Sequence, residues 1–171
     1  SYKLVVNELV IDVNGQYFMD FDDFEKKNTD HNVKLFILCN PHNPVGRVWT
    51  KEELLAIGEI CKRHGVIVFS DEIHFDFIWE GTHQIFQEAD SSFREFTITG
   101  TAPSKTFNLA GLQQSNIFIP NEEIRKKFEW EYYVTGLDEP NVAGIAAAQA
   151  AYENGDEWYD AAKNYIRKNV E

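Results

Sequence analysis

Cysteine is scarce in this chain. Only Cys39 and Cys61 occur among 171 residues, and they do not form a C-x-x-C pair. They read as reduced, buried thiols of a cytoplasmic protein rather than as a disulfide framework or a reactive site. Positive charge is also short: 16 Lys and Arg stand against 28 Asp and Glu, a net charge of −12. Such a chain repels phosphate backbones and anionic lipid, so nucleic-acid and membrane partners are not expected. No apolar run approaches the roughly 20 residues that cross a bilayer. The opening SYKLVVNELV has no basic segment followed by an apolar one, so no signal peptide is expected. Repeats, low-complexity tracts and Gly/Ser linkers are missing, and one domain is expected. H-E-x-x-H and H-x-x-E-H are absent, and the acids and histidines at Asp71, Glu72, His74, Asp76 and His83 match no metal cage, so no metal is expected.

What is present is an ordinary globular composition, 43% hydrophobic and 14% aromatic. Residues 10–19 alternate around Asn14-Gly15, a hairpin signal. Asp20 can cap a helix over 21–28. The apolar runs 33–38, 66–70, 96–99 and 115–119 have strand length. Thr50-Lys51-Glu52-Glu53 is a capping-box pattern opening a helix to His64, with Leu54, Ile57 and Cys61 on one face and Gly65 as the stop. Further helices are predicted over 121–134, 141–154 and 157–168. Non-alternating strands separated by helices predict an α/β fold with a mostly parallel sheet flanked by helices.

Ligands of such sheets bind beyond the carboxyl ends of the strands. Cys39 to Gly46 follow the first buried run. Ser70 to His74 follow the second, and Gly100 to Thr106 the third. An amide, an acid and a lysine therefore converge on one edge. That set suits pyridoxal phosphate chemistry, in which a lysine holds the cofactor, an acid pairs with the ring nitrogen, an amide meets the phenolate oxygen, and hydroxyls bind phosphate. Plainer uses exist for each group. Lys105 on a turn is solvated by default, Asp71 can cap a helix, and Asn43 can stabilise the turn at Pro44. Gly100–Thr106 also falls one residue short of the G-x-x-x-x-G-K-[ST] phosphate loop and lacks its second glycine.

Three segments together decide between these uses. Asn43-Pro44-Val45-Gly46 resembles the N-P-[TV]-G loop of the aspartate-aminotransferase superfamily. Asp71-Glu72-Ile73-His74 resembles its D-x-x-[YH] strand end. The run Ser104-Lys105-Thr106-Phe107-Asn108-Leu109-Ala110-Gly111-Leu112 resembles its lysine segment. With the flanking PHNPVGRVW, SDEIH and APSKTFNLAGLQ, the chain is similar to the PatB/MalY-like cystathionine β-lyase branch of the fold-type I pyridoxal-phosphate enzymes.

The resemblance implies that Lys105 is the Schiff-base lysine and the catalytic base for the α-proton. It implies that Asp71 is the pyridinium partner and that Asn43 contacts the phenolate oxygen. His74 stands where relatives carry a tyrosine near that oxygen, and Thr101 and Ser104 are candidate phosphate ligands. Many relatives place an arginine eight residues after the lysine, whereas this chain has Gln113, which favours the lyase-like branch. The implied reaction is C–S β-elimination on a sulfur-containing amino acid. Transamination to a 2-oxo acid is the neighbouring alternative, and a non-catalytic scaffold is the alternative of another class. Family members are more than twice this long and are homodimers. Residues 1–171 are therefore expected to be the central part of the pyridoxal-phosphate-binding large domain, inactive alone. Its N-terminal segment and C-terminal small domain are expected to be absent, and subunit contacts are expected around Leu137–Gly144.

Overall fold

The computed structural model describes residues 3–170. A short antiparallel hairpin, β1 (Leu9–Ile11) and β2 (Tyr17–Met19), comes first, in register Ile11↔Tyr17. The turn is not a two-residue Asn-Gly connection. Asp12 Oδ1 accepts from the N–H groups of Asn14 (2.8 Å) and Gln16 (2.9 Å), which opens the loop to residues 12–16. These bonds hold the Asp12 carboxyl below its usual range.

Helix α1 (Phe21–His31) is capped by Asp20 as expected but runs three residues past the predicted end at 28. Asn32 takes a left-handed conformation, φ 48°, and returns its N–H to Asn28 O, a stop that the apolar pattern does not show. Helix α2 (Lys51–His64) has both halves of the capping box at Thr50 and Glu53 and ends on Gly65 at φ +63°. Glu25 of α1 binds Arg63 (2.6 Å) and His64 (3.3 Å) of α2, and the Arg63 guanidinium leads in holding its carboxyl below the ordinary range.

The sheet has the order β3 (Leu35–Cys39), β4 (Ile67–Asp71), β5 (Thr97–Thr101), β6 (Asn116–Phe118). The first three strands are parallel and β6 is antiparallel to β5, so the mostly parallel α/β fold is as expected. Residues opposite each other in register share a face. Leu38 and Val68 point to the core, where they meet Leu54, Ile57 and Cys61 of α2 together with Phe24, Phe86 and Phe93. Full burial of such a side chain stabilises by roughly 1.5–3 kcal/mol. On the opposite face, Leu35 and Ile37 are 51% and 64% exposed. Parallel sheets ordinarily bury both faces.

Between β4 and β5 lie a four-residue helix, α3 (Phe86–Ala89), and a 3-10 turn at Ser91–Glu95. Periodicity does not reveal either, because both are too short. Their work is packing: Phe86 and Phe93 stack at 5.3 Å in the core, and a Cβ on Gly58 of α2 would fall 2.1 Å from the Phe93 ring. Helix propensity alone favours alanine over glycine by about 1 kcal/mol, but this contact reverses the sign. Gly58→Ala is expected to destabilise by about 1–3 kcal/mol, read from the midpoint of urea unfolding. An unchanged or higher midpoint would contradict the packing of Phe93 on α2.

Three helices follow the sheet: α4 (Glu122–Val134), α5 (Val142–Asn154) and α6 (Asp156–Val170). No residue of α4 is buried, and α5 buries only Gly144 and Ala148. Trp130 and Tyr133 are 63% and 64% exposed, so they are not core residues. No helix among the described residues is long and apolar enough to cross a membrane.

Candidate active site

Parallel register fixes the carboxyl edge of the sheet. Cys39 lies opposite Asp71, and Asp71 opposite Gly100. Neighbouring strands are about 4.8 Å apart, so three chain segments leave the sheet side by side. The ladder is continued past the strand ends by Asn40 N–H to Asp71 O (2.9 Å) and Glu72 N–H to Gly100 O (2.8 Å). Asp71, half-buried, points to the face that α2 does not cover. Its Oδ1 accepts from Ile73 N–H at 3.2 Å, and its Oδ2 makes no hydrogen bond among the described residues.

Asn43 sits in the loop beyond β3. Its N–H donates to Cys39 Sγ at 3.3 Å, while its side-chain amide is exposed and makes no hydrogen bond among the described residues. Cys39 is partly rather than fully buried. Burial first, then the Asp71 charge, pushes its thiol up against the opposing pull of the Asn43 N–H. Cys61, fully buried in α2, is pushed up to about 12 by desolvation. The loop owes its shape to residues without an assigned chemical role. Gly46 takes φ +69° and donates to His42 O at 2.9 Å. Trp49, 1% exposed, donates from Nε1 to Cys39 O at 2.9 Å. Arg47 lies over the Trp49 ring, pairs with Glu53 and donates to Tyr17 O. The peptide bonds before Pro41 and Pro44 are both cis.

Beyond β5, residues 102–109 form a turn closed by Phe107 N–H to Pro103 O (2.9 Å) and Leu109 N–H to Ser104 O (3.0 Å). Lys105 is exposed on it, with no hydrogen bond or ion pair among the described residues. Ser104 is half-buried beside it. Thr101 Oγ1 accepts from Asn116 Nδ2 at 3.4 Å, a bond that ties β5 to β6. The His74 ring is half-buried and makes no hydrogen bond among the described residues. Gln113 is exposed at φ 53° where the 3-10 turn Ala110–Leu112 ends.

The strongest polar cluster here was not marked by sequence motifs. Glu72, 2% exposed, follows Asp71 but points to the opposite face. It accepts from Ser70 Oγ (2.8 Å) and from Phe86 N–H (3.0 Å), and it meets His83 Nε2 at 2.6 Å. His83, which reads as an ordinary histidine in the sequence, is the partner of this buried carboxylate and is itself 11% exposed. The alternation of a strand end supplies the only sequence signal: if Asp71 faces a ligand, Glu72 faces the core. Among the described residues, no group of three or more His, Cys, Asp or Glu is placed to hold a metal ion. Phe77, Ile78 and Trp79 line an open cleft of about 650 Å³ with Tyr17, Val45 and Arg47.

Residues 4–170 match the model of the family described as aminotransferase class I and II. The chain is 45% identical over 167 residues to cystathionine beta-lyase PatB of Bacillus subtilis (strain 168), covering 97% of this chain and 43% of that protein. The PLP-bound putative aminotransferase from Clostridium difficile 630 superposes with a TM-score of 0.93 at 43% identity, over 98% of this chain and 43% of that one. Cystalysin from Treponema denticola, whose crystal structure contains a pyridoxal 5′-phosphate cofactor, gives 0.92 at 42%, over 98% and 42%. The chain thus spans about two fifths of the length of these relatives. Near-complete coverage by the family model, together with this level of identity and superposition, assigns the fold and its strand-end loops to one lineage: the chain belongs to the aminotransferase class I and II family.

Proposed function

We propose that this chain is the central part of a pyridoxal-phosphate-dependent C–S β-lyase, acting on a sulfur-containing amino acid in the manner named for PatB. The observation that carries the reading is the sheet edge itself. A half-buried carboxylate with an unengaged oxygen, an amide loop and a lysine without a partner among the described residues follow adjacent strand ends at one edge of the sheet. This donor set fits the cofactor. Asp71 Oδ2 would take the ring N–H and keep that nitrogen protonated. Asn43 would donate to the phenolate oxygen, with His74 nearby. Thr101 and Ser104 would donate to the phosphate, and Lys105 would hold the aldehyde carbon covalently. When bound, the cofactor supplies a protonated ring that takes up the electron pair left by the departing α-proton. Lys105 Nζ would be the base that takes that proton.

The exposed sheet face at Leu35 and Ile37 and the 43% coverage of PatB both support a longer polypeptide that completes the site. We place that protein in the cytoplasm, as a homodimer. Leu137 and Val142, 61% and 83% exposed, lie in the segment expected at the subunit contact. The acidic surface offers nothing to nucleic acid or anionic lipid.

Transamination is the second reading, supported by the likeness to the Clostridium difficile putative aminotransferase. The full-length protein, given cystathionine with no 2-oxo acid, is expected to release pyruvate and ammonia catalytically. Turnover that appears only when a 2-oxo acid is added would replace the lyase reading with the aminotransferase one. Absence of both would leave a scaffold.

A further inference from the structure

We propose that Asp76 and Thr106 are a positioning pair that sets the Lys105 amine relative to Asp71, an assignment that rests on the cofactor reading above. Thr106 Oγ1 donates to Asp76 Oδ2 at 2.6 Å, across 30 residues of sequence. Thr106 is 2% exposed and directly follows Lys105, while Asp76 closes the segment that begins at Asp71. One short hydroxyl–carboxylate bond, of the charge-assisted kind, therefore joins the acid segment to the lysine turn.

Both ends of that bond are themselves held. Tyr159 OH of α6 donates to Asp76 O at 2.7 Å, and Lys163 Nζ donates to Tyr159 OH at 2.8 Å. Phe107, next to Thr106, packs on Trp158 at 5.6 Å, and a Cβ on Gly155 would fall 2.4 Å from its ring. Lys105, by contrast, has no local partner among the described residues. The reach of its flexible stem is set by where the turn places its Cα. Asp76 forms no ion pair among the described residues, and the hydrogen bond its side chain makes among them is the one to this hydroxyl. A catalytic amine must come within about 3–3.5 Å of the atom it serves, and a displacement of about 1 Å costs on the order of 10²-fold in rate. The pair meets that tolerance by fixing the turn rather than the amine.

The test uses the full-length holoenzyme with Thr106→Val, which keeps the volume and removes the donor. Thr106→Ser and Asp76→Asn, which keep the bond in part, are compared with it. Thr106→Val is expected to lower kcat for C–S cleavage about 10²-fold with little change in KM, and to alter the pH dependence of the visible cofactor band. Thr106→Ser is expected to restore both, and Asp76→Asn to fall between. If Thr106→Val or Asp76→Asn lowers only the melting temperature and leaves kcat and the band as in the wild type, the bond is a structural staple and the proposal is overturned. A wild-type protein with no band and no turnover would overturn the cofactor reading and this pair together. A wild type with both, beside an unaffected variant, would overturn the pair alone.

Discussion

Lys105→Ala in the full-length protein is expected to abolish cystathionine cleavage, by at least about 10³-fold, with the fold intact. On the proposed reading two functions would disappear with one amine: the covalent hold on the cofactor and the base for the α-proton, the second alone worth about 10²–10⁴-fold. The fold should tolerate the change, because Lys105 is exposed and makes no hydrogen bond or ion pair among the described residues. Steady-state pyruvate release and thermal unfolding, run on the same preparation, separate the two effects. Retention of more than a tenth of the activity would remove Lys105 from the chemistry. A melting temperature that collapses with the activity would mean that the turn depends on its side chain, contrary to the structure.

Glu72→Ala should have the opposite signature, a large loss of stability. Its carboxylate is 2% exposed and engages Ser70 Oγ, Phe86 N–H and His83 Nε2. Alanine strands all three groups without water to replace the lost acceptor. Removing one partner of such a buried cluster costs about 3–5 kcal/mol, because the remaining groups stay desolvated. Glu72→Gln keeps one oxygen acceptor and should lose less. The double variant Glu72→Ala with His83→Ala should be less destabilised than the two single losses added together, since each already breaks the shared contact. Strict additivity in urea unfolding would show that His83 and Glu72 are not coupled.

These two residues also show what can be read from sequence. The place of Lys105 in a turn just beyond a strand is legible because its neighbours form a local pattern there. Thr50 with Glu53, and Gly65, are legible because a helix cap is a contact within four residues. Glu72 is not legible, since its partners Phe86 and His83 lie 14 and 11 residues away. The same holds for α3, whose first N–H is taken by that distant carboxylate. The hairpin around Asn14-Gly15 is legible as well, while the bonds that Asp12 Oδ1 accepts from Asn14 and Gln16 N–H, which shape its loop, are not. In the site, the three strand-end segments are legible in order and spacing. The fixtures between them, Trp49 on Cys39 O and Thr106 on Asp76, are not, because each joins elements that meet only in the folded sheet. Trp130 and Tyr133 mark a further limit. Their apolar character suggests packing, yet they meet each other at 6.2 Å on the surface of α4 and stay 63% and 64% exposed.

The central claim is that this sheet edge holds pyridoxal phosphate through Lys105. The most direct measurement is the visible absorption spectrum of the full-length protein after incubation with the cofactor and exhaustive dialysis, beside Lys105→Ala. A band retained by the wild type and lost in the variant is the predicted result. A full-length protein that dialyses colourless would contradict the account.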